Sequence, residues 1–147
     1  LLERMKDLSV KLLCQDFLDY LRGMLTPVKQ DGTQVTYAKK LLKSEAKVDW
    51  QLSARQIFNF VRGFRMGPGA YTQWDGKKFK LHATRVVEGT ATQAPGQVES
   101  VDEQRLQVAC GEGTVLELVT VQPESKAKMP AADFLRGYGL QPGDCWE

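Results

Sequence analysis

The stretch that decides the fold is Ala70-Tyr71-Thr72-Gln73-Trp74-Asp75-Gly76-Lys77-Lys78-Phe79-Lys80-Leu81-His82-Ala83-Thr84-Arg85-Val86-Val87. Asp75-Gly76 is a hairpin dipeptide, because a two-residue turn of the favoured hand needs positive φ at both central positions. The downstream arm has period two. Phe79, Leu81, Ala83 and Arg85 alternate with Lys78, Lys80, His82 and Thr84, the spacing of a strand with two unlike faces. A hairpin with arms at 70–74 and 78–87 is expected.

Working outward toward the end of the chain, further strands are expected at 96–101, 105–109 and 114–121. Short connectors at 102–104 and Gly111-Glu112-Gly113 join them. Short strands with tight turns suggest a small barrel or sandwich. Pro130 suits the start of a last helix through Ala131, Ala132, Phe134 and Leu135, with Gly137 or Gly139 to stop it.

Toward the beginning, residues 53–65 read as a helix. Ser53 is a candidate N-cap. Ile57, Phe58, Val61 and Phe64 form its apolar face, Arg55, Arg62 and Arg65 stay on the polar side, and Gly67-Pro68-Gly69 ends it. Residues 26–50 start with turn formers and then mix lysines with isolated apolar groups. They read as a linker with a short helical turn at 43–46. Residues 1–25 carry Leu2, Met5, Leu8, Leu12, Leu13, Phe17, Tyr20, Leu21 and Met24 at spacings of three and four. That is an amphipathic helix whose apolar stripe needs another body to cover it. Phe58, Phe64, Phe79 and Phe134 are expected in the core.

Composition sets the outer limits. The 147 residues amount to one ordinary domain or a small domain with a tail. With 42% apolar and 26% charged residues, the chain has the make-up of a soluble globular protein. No apolar run approaches the roughly 18 residues of a membrane helix. Glu3, Arg4, Lys6 and Asp7 occupy the place of a signal peptide's apolar region. A cytoplasmic protein without membrane contact is expected, and the initial Leu suggests part of something longer. Cys14, Cys110 and Cys145 are far apart and read as reduced thiols, and His82 is the single histidine. Paired zinc ligands are therefore missing from the sequence.

Charge is uneven. Residues 26–90 hold twelve basic groups against five acidic, a balance of +7, and residues 91–147 hold four against nine, a balance of −5. A basic middle suits a polyanion on one face. A solvated surface with uneven charge gives the same count. Lys39, Lys40, Lys43 and Lys47 are the leading candidates for phosphate contact, since lysines along an extended segment can follow a row of phosphates. Arg62, Arg65, Lys77, Lys78 and Lys80 extend the candidate surface. For Lys78 and Lys80, which share a strand face, protection of a sheet edge is an equally physical role. Trp50 and Tyr37 could stack on bases, though anchoring the linker to protein is the commoner use of such residues. Asp49 has no visible acid–base partner, and His82 reads as a half-buried strand residue.

Four blocks taken in order carry a resemblance. They are Thr36-Tyr37-Ala38-Lys39-Lys40-Leu41 with Lys43-Ser44-Glu45-Ala46-Lys47-Val48-Asp49-Trp50; Ser53-Ala54-Arg55-Gln56-Ile57 through Arg62-Gly63-Phe64; Pro68-Gly69-Ala70; and Gly111-Glu112-Gly113 with Val121-Gln122-Pro123, Lys126-Ala127-Lys128-Met129 and Ala132-Asp133-Phe134-Leu135-Arg136-Gly137. Together they resemble the bacterial methionyl-tRNA formyltransferase family over nearly the whole chain. The resemblance implies an α+β fold, a small OB-like β-barrel with flanking helices, preceded by an amphipathic helix and an extended basic linker. It divides the chain into 1–25, the terminal helix of a missing N-terminal formyltransferase domain; 26–50, the basic linker; and 51–147, the C-terminal OB-like tRNA-binding domain.

It further implies a parent enzyme that transfers formyl from 10-formyltetrahydrofolate to the amino group of methionyl initiator tRNA. The family's catalytic Asn, His and Asp and its S-L-L-P folate segment have no counterpart here. No catalytic, cofactor-binding or metal-binding residue is therefore expected in this chain. The expected partners are initiator methionyl-tRNA and the missing catalytic domain, with the chain itself a monomer. Where the family has Asn-Pro-Trp-Pro this sequence has Arg65-Met66-Gly67-Pro68, so the loop lacks the aromatic residue and gains a flexible glycine. Related formyltransferases and formyltetrahydrofolate hydrolases that act on non-RNA substrates share such a barrel. They are the alternative, against which the lysine-rich linker counts, since a small substrate needs no long basic track.

Overall fold

The computed structural model describes residues 1–102 and 104–147. The chain divides into two compact units, Leu1–Lys39 and Lys40–Glu147.

The first unit is helix followed by coil. α1 (Leu2–Lys11) runs through a π-helical turn (Leu12–Asp16) into α2 (Phe17–Leu21). The helix ends earlier than residue 25 because Gly23 takes a left-handed φ of +74°. Gly23 N–H donates to Tyr20 O and Met24 N–H to Asp19 O, the pair of hydrogen bonds of a Schellman cap. No residue of these segments is buried. The apolar stripe read from the sequence is thus on the surface, at Leu8, Leu13 and Phe17 among others. Farther on, Asp31 accepts from Thr33 N–H and Oγ1 and from Gln34 Nε2. The Thr33 hydroxyl, followed by its amide, holds the Asp31 carboxyl below the usual carboxylate range.

The second unit is built on one antiparallel sheet. Its strands are β1 (Tyr71–Trp74), β2 (Lys77–Val87), β3 (Val98–Val101), β4 (Leu106–Ala109), β5 (Val115–Pro123) and the short β6 (Met129–Pro130). The order across the sheet is β1-β2-β5-β4-β3, with β6 pairing β5. Asp75 and Gly76 have φ of +51° and +68°, as the hairpin turn demands. β2 and β5 pair along most of their length, from Phe79↔Pro123 to Val87↔Val115. Their register shifts between Leu81 and Thr84. The bulge inverts the alternation read from the sequence: Thr84 lies opposite buried Leu118, and Arg85 lies opposite Glu117, whose carboxylate its guanidinium approaches to 3.8 Å. The connector expected at 102–104 includes Glu103, which lies outside the described residues.

The sheet curls into a half-barrel, because one short segment bonds to both of its edges. Val98 N–H on β3 donates to Asp144 O, while Gln73 on β1 exchanges both backbone bonds with Glu147 at 2.9 Å. Trp146 lies between them and is 2% exposed, packed on Trp74 and Phe79. α4 (Ala131–Gly137) sets Phe134 into the same aromatic cluster, 4.9 Å from the Phe79 ring. Burying such a side chain contributes roughly 2–3 kcal/mol. α3 (Ala54–Phe64) packs on β2 and β5 through Ile57, Val61 and Phe64. Its N-terminus is fixed by Gln56 Oε1, which accepts from Ser53 N–H and Oγ, and by Thr114 Oγ1, which accepts from Ala54 N–H. Phe58 departs from expectation. It is half-buried at the rim of the core, with the Arg55 and Arg62 guanidinium groups 5.6 and 5.3 Å from its ring centre.

The expected linker, 26–50, is divided by the structure. Residues 40–50 belong to the second unit, where Ala46, Val48 and Trp50 are buried. The helical turn at Lys43–Ala46 is present as a 3₁₀ turn, with Glu45 Oε2 accepting from Leu42 N–H. Val48 N–H donates to Tyr71 O, so this segment runs beside β1. Its alternating apolar residues dock into the barrel, and that burial makes it part of the fold.

Candidate nucleic-acid interface

The nine basic candidates fall into four groups. Lys39 is exposed in the first unit. Lys40 and Lys43 are exposed and line one hollow with Leu41, Leu42, Gly67 and Pro68, at the end of α3. Arg62 and Arg65 are exposed on the last turn of α3 and just beyond it. Lys47, Lys77, Lys78 and Lys80 gather around β1 and β2.

The tightest grouping centres on Tyr71. Hairpin register puts Tyr71 opposite Lys80 and Gln73 opposite Lys78, so all four project from one face, away from buried Thr72 and Phe79. Lys78 Nζ stands 3.7 Å from the centre of the Tyr71 ring, a cation–π contact. Lys47 bridges to Tyr71 through its backbone, and its Nζ donates to Gln73 Oε1 at 3.4 Å. Gly69 lies against the aliphatic stem of Lys80, which joins this group to the Gly67-Pro68 hollow. A path of cations thus runs within the second unit from Lys40 and Lys43 past Gly69 to Lys80, Lys47 and Lys78. Ion pairs among the described residues involve Lys6, Arg22, Arg85 and Arg136, and none of the nine candidates. Their positive charge is available to an external anion.

Tyr71 is the residue that sequence reasoning missed. The signal was in the Asp75-Gly76 turn. A two-residue turn pairs 74 with 77 and hence 71 with 80, which places an aromatic ring beside the lysines already singled out.

The aromatic candidates separate. Trp50 is 5% exposed, and its Nε1–H donates to Thr72 Oγ1 at 3.0 Å. Thr72 Oγ1 in turn donates to Glu147 O. Trp50 anchors the chain and offers no face for stacking. Tyr37 is 87% exposed. Asp49 accepts from Gln51 N–H as a local turn bond. His82 Nε2 lies 3.0 Å from Gln122 Oε1 on the neighbouring strand, half-buried. Cys110 is buried, and desolvation pushes its thiol up to about 12. Among the described residues no three His, Cys, Asp or Glu side chains are grouped to hold a metal ion, and no helix is long and apolar enough to cross a membrane.

Fold and surface together define a class, a small curled β-domain with a basic outer face. The chain belongs to the family described as formyl transferase, C-terminal domain, which it matches over residues 40–139. It is 45% identical over 140 residues to a methionyl-tRNA formyltransferase of Bdellovibrio bacteriovorus, covering 93% of this chain and 44% of that protein. It is 40% identical over 144 residues to the methionyl-tRNA formyltransferase of Streptococcus equi subsp. equi, covering 97% and 45%. The chain therefore spans less than half the length of these relatives. Among solved structures, a variant of HypX from Aquifex aeolicus superposes with a TM-score of 0.65 at 19% identity, over 88% of this chain and 23% of that one. HypX in complex with tetrahydrofolic acid superposes with a TM-score of 0.62 at 18% identity, over 86% and 22%. At such identities the likeness is one of fold.

Proposed function

We propose that this chain holds tRNA for a formyltransferase whose substrate is methionyl initiator tRNA and whose formyl donor is 10-formyltetrahydrofolate. The observation that carries the reading is the path of lysines from Lys40 and Lys43 to Lys47, Lys78 and Lys80, which form no ion pair among the described residues. A row of cations without carboxylate partners suits a row of phosphates, and its contacts release counterions. The names of the relatives supply the RNA. In this reading residues 1–25 are the last helix of a catalytic domain, which explains an apolar stripe left on the surface. The bond chemistry belongs to that domain. The present chain contributes binding energy and orientation, turning a bimolecular encounter into a positioned one.

The test is initiator-tRNA binding titrated against salt, beside a variant with Lys39, Lys40, Lys43 and Lys47 changed to Ala. Wild type should bind with a steep salt dependence. The variant should bind more weakly, with a slope of log K against log salt shallower by about 3 to 4, close to one unit for each of the four phosphates no longer neutralised. No binding by wild type at low salt would sink the proposal and favour a formyltransferase relative with a non-RNA substrate.

A further inference from the structure

We infer that the cavity between the β1–β2 turn and the β5–β6 turn receives one unpaired nucleotide, with its base against Trp74 and Tyr138 and its phosphate at Lys77 and Lys126. The inference deepens the proposed tRNA-holding role and rests on it for the identity of the RNA. The cavity has a volume of about 410 Å³, enough for a single nucleotide. Its apolar wall is aromatic, formed by Trp74, Phe79, Phe134 and Tyr138. Trp74 and Tyr138 are half-buried. Their rings meet edge-on at 5.7 Å, and Tyr138 stacks on Phe134 at 4.3 Å, so the wall is held in place by its own packing. A flat heteroaromatic base gains about 1–3 kcal/mol from such a surface, whatever its identity.

The polar part of the lining is mostly basic. Lys77 and Lys126 are exposed and Lys78 is half-buried, and all three line the cavity. Asp75 and Glu124 also line it, so the local charge is +1. That balance fits one phosphate, not a run of them. Both rims are turns. Asp75 and Gly76 close one hairpin and Ser125 the other, all with left-handed φ, and the pairing Phe79↔Pro123 brings the two turns to the same end of the sheet. A second, smaller hollow of about 310 Å³ adjoins the first and shares Lys78, Pro123, Glu124 and Ser125 with it, adding Lys80. Lys78 therefore stands between the cavity and the Tyr71 group, its Nζ already over the Tyr71 ring. A strand of RNA following the lysine path would deliver a nucleotide into the aromatic cavity at Lys78.

The indole N–H signals of Trp50, Trp74 and Trp146 allow the cavity to be watched directly by NMR, using tetra-adenylate RNA as the probe. The expected result is a shift of the Trp74 signal with those of Trp50 and Trp146 in place. Lys77→Ala with Lys126→Ala, two exposed changes that leave the core alone, should weaken tetra-adenylate binding about tenfold at low salt. Initiator-tRNA binding is measured on the same samples. If tRNA binds while Trp74 stays still, or the double variant binds tetra-adenylate as wild type does, the cavity inference falls and the tRNA-holding role stands. If neither RNA binds, both fall. If tetra-adenylate moves Trp74 but tRNA does not bind, the cavity is a nucleotide site and the tRNA role falls.

Discussion

At the scale of the residue, burial decides which side chains of a given type are available for chemistry. The three cysteines are alike in sequence, each isolated. The fold exposes Cys14 and Cys145 and buries Cys110 on the strip between β4 and β5. Desolvation raises the Cys110 thiol to about 12, so its reactive thiolate is scarce at neutral pH. Thiol titration of the native protein at pH 8 should give two fast groups and one that reacts only at the rate of unfolding. Three fast groups would contradict the burial. The same shift has a sign for stability. The unfolded chain ionises this thiol near pH 8.5 and the folded chain does not, so stability from this group is complete below that pH and is lost as pH rises toward 12. Trp50 and Tyr37 make the parallel case among aromatics. Both stand in a lysine-rich segment, and only the packing of residues 46–50 on the barrel tells them apart. That information is long-range, because it depends on Thr72 and on the backbone of Glu147. The lysines singled out from charge are all exposed or half-buried, as charged side chains must be when unpaired.

At the scale of the element, local chemistry was readable wherever one residue type dictates one backbone shape. Asp75-Gly76 marked the hairpin turn, Ser53 marked the start of α3, and the change to period two marked the sheet. The bulge in β2 was not readable, because it answers to the partner strand and not to its own residues. β6 is only Met129–Pro130, too short to show a period. Glycine shows the same split between local and distant causes. Gly63 lies within α3 with open space where a Cβ would project, so Gly63→Ala should stabilise the protein by about 1 kcal/mol. Gly111 is the opposite. Its N–H is shared between Trp50 O and Leu52 O, and a Cβ there would lie 1.7 Å from Gln51 O. Gly111→Ala should therefore push the 50–52 segment off the sheet and cost about 4 kcal/mol or more, the range reserved for gross steric conflict. Urea unfolding midpoints of the two variants, measured together, check both signs.

At the scale of the whole molecule, the closure of the barrel was the least legible feature. Residues 144–147 contain no strand pattern, yet they bond to β3 through Asp144 and to β1 through Glu147. Their hold is mostly backbone, joined by one tryptophan, and backbone bonding has no residue code to read. Removing 144–147 would leave β3 a bare edge, free Gln73 on β1 beside the remaining Val48 bond, and expose the aromatic cluster under Trp146. Bare edges beside apolar surface template association. Light scattering of the truncated protein should show aggregates at concentrations where the full chain gives none. A soluble, monomeric truncation would show that the half-barrel closes without this segment. The acidic last third makes sense at this scale too. Its Glu117 is engaged within the sheet by Arg85, and Glu99 accepts from the amides of Thr92 and Gln93, so neither opposes the basic face.

Glu147 and Val48 flank the same short strand, one bonded to Gln73 and the other to Tyr71. The stretch between them is thus closed on one strand, like a necklace at its clasp. Whatever displaces β1 frees both segments together, so the Val48 and Glu147 amides should gain and lose exchange protection as a pair.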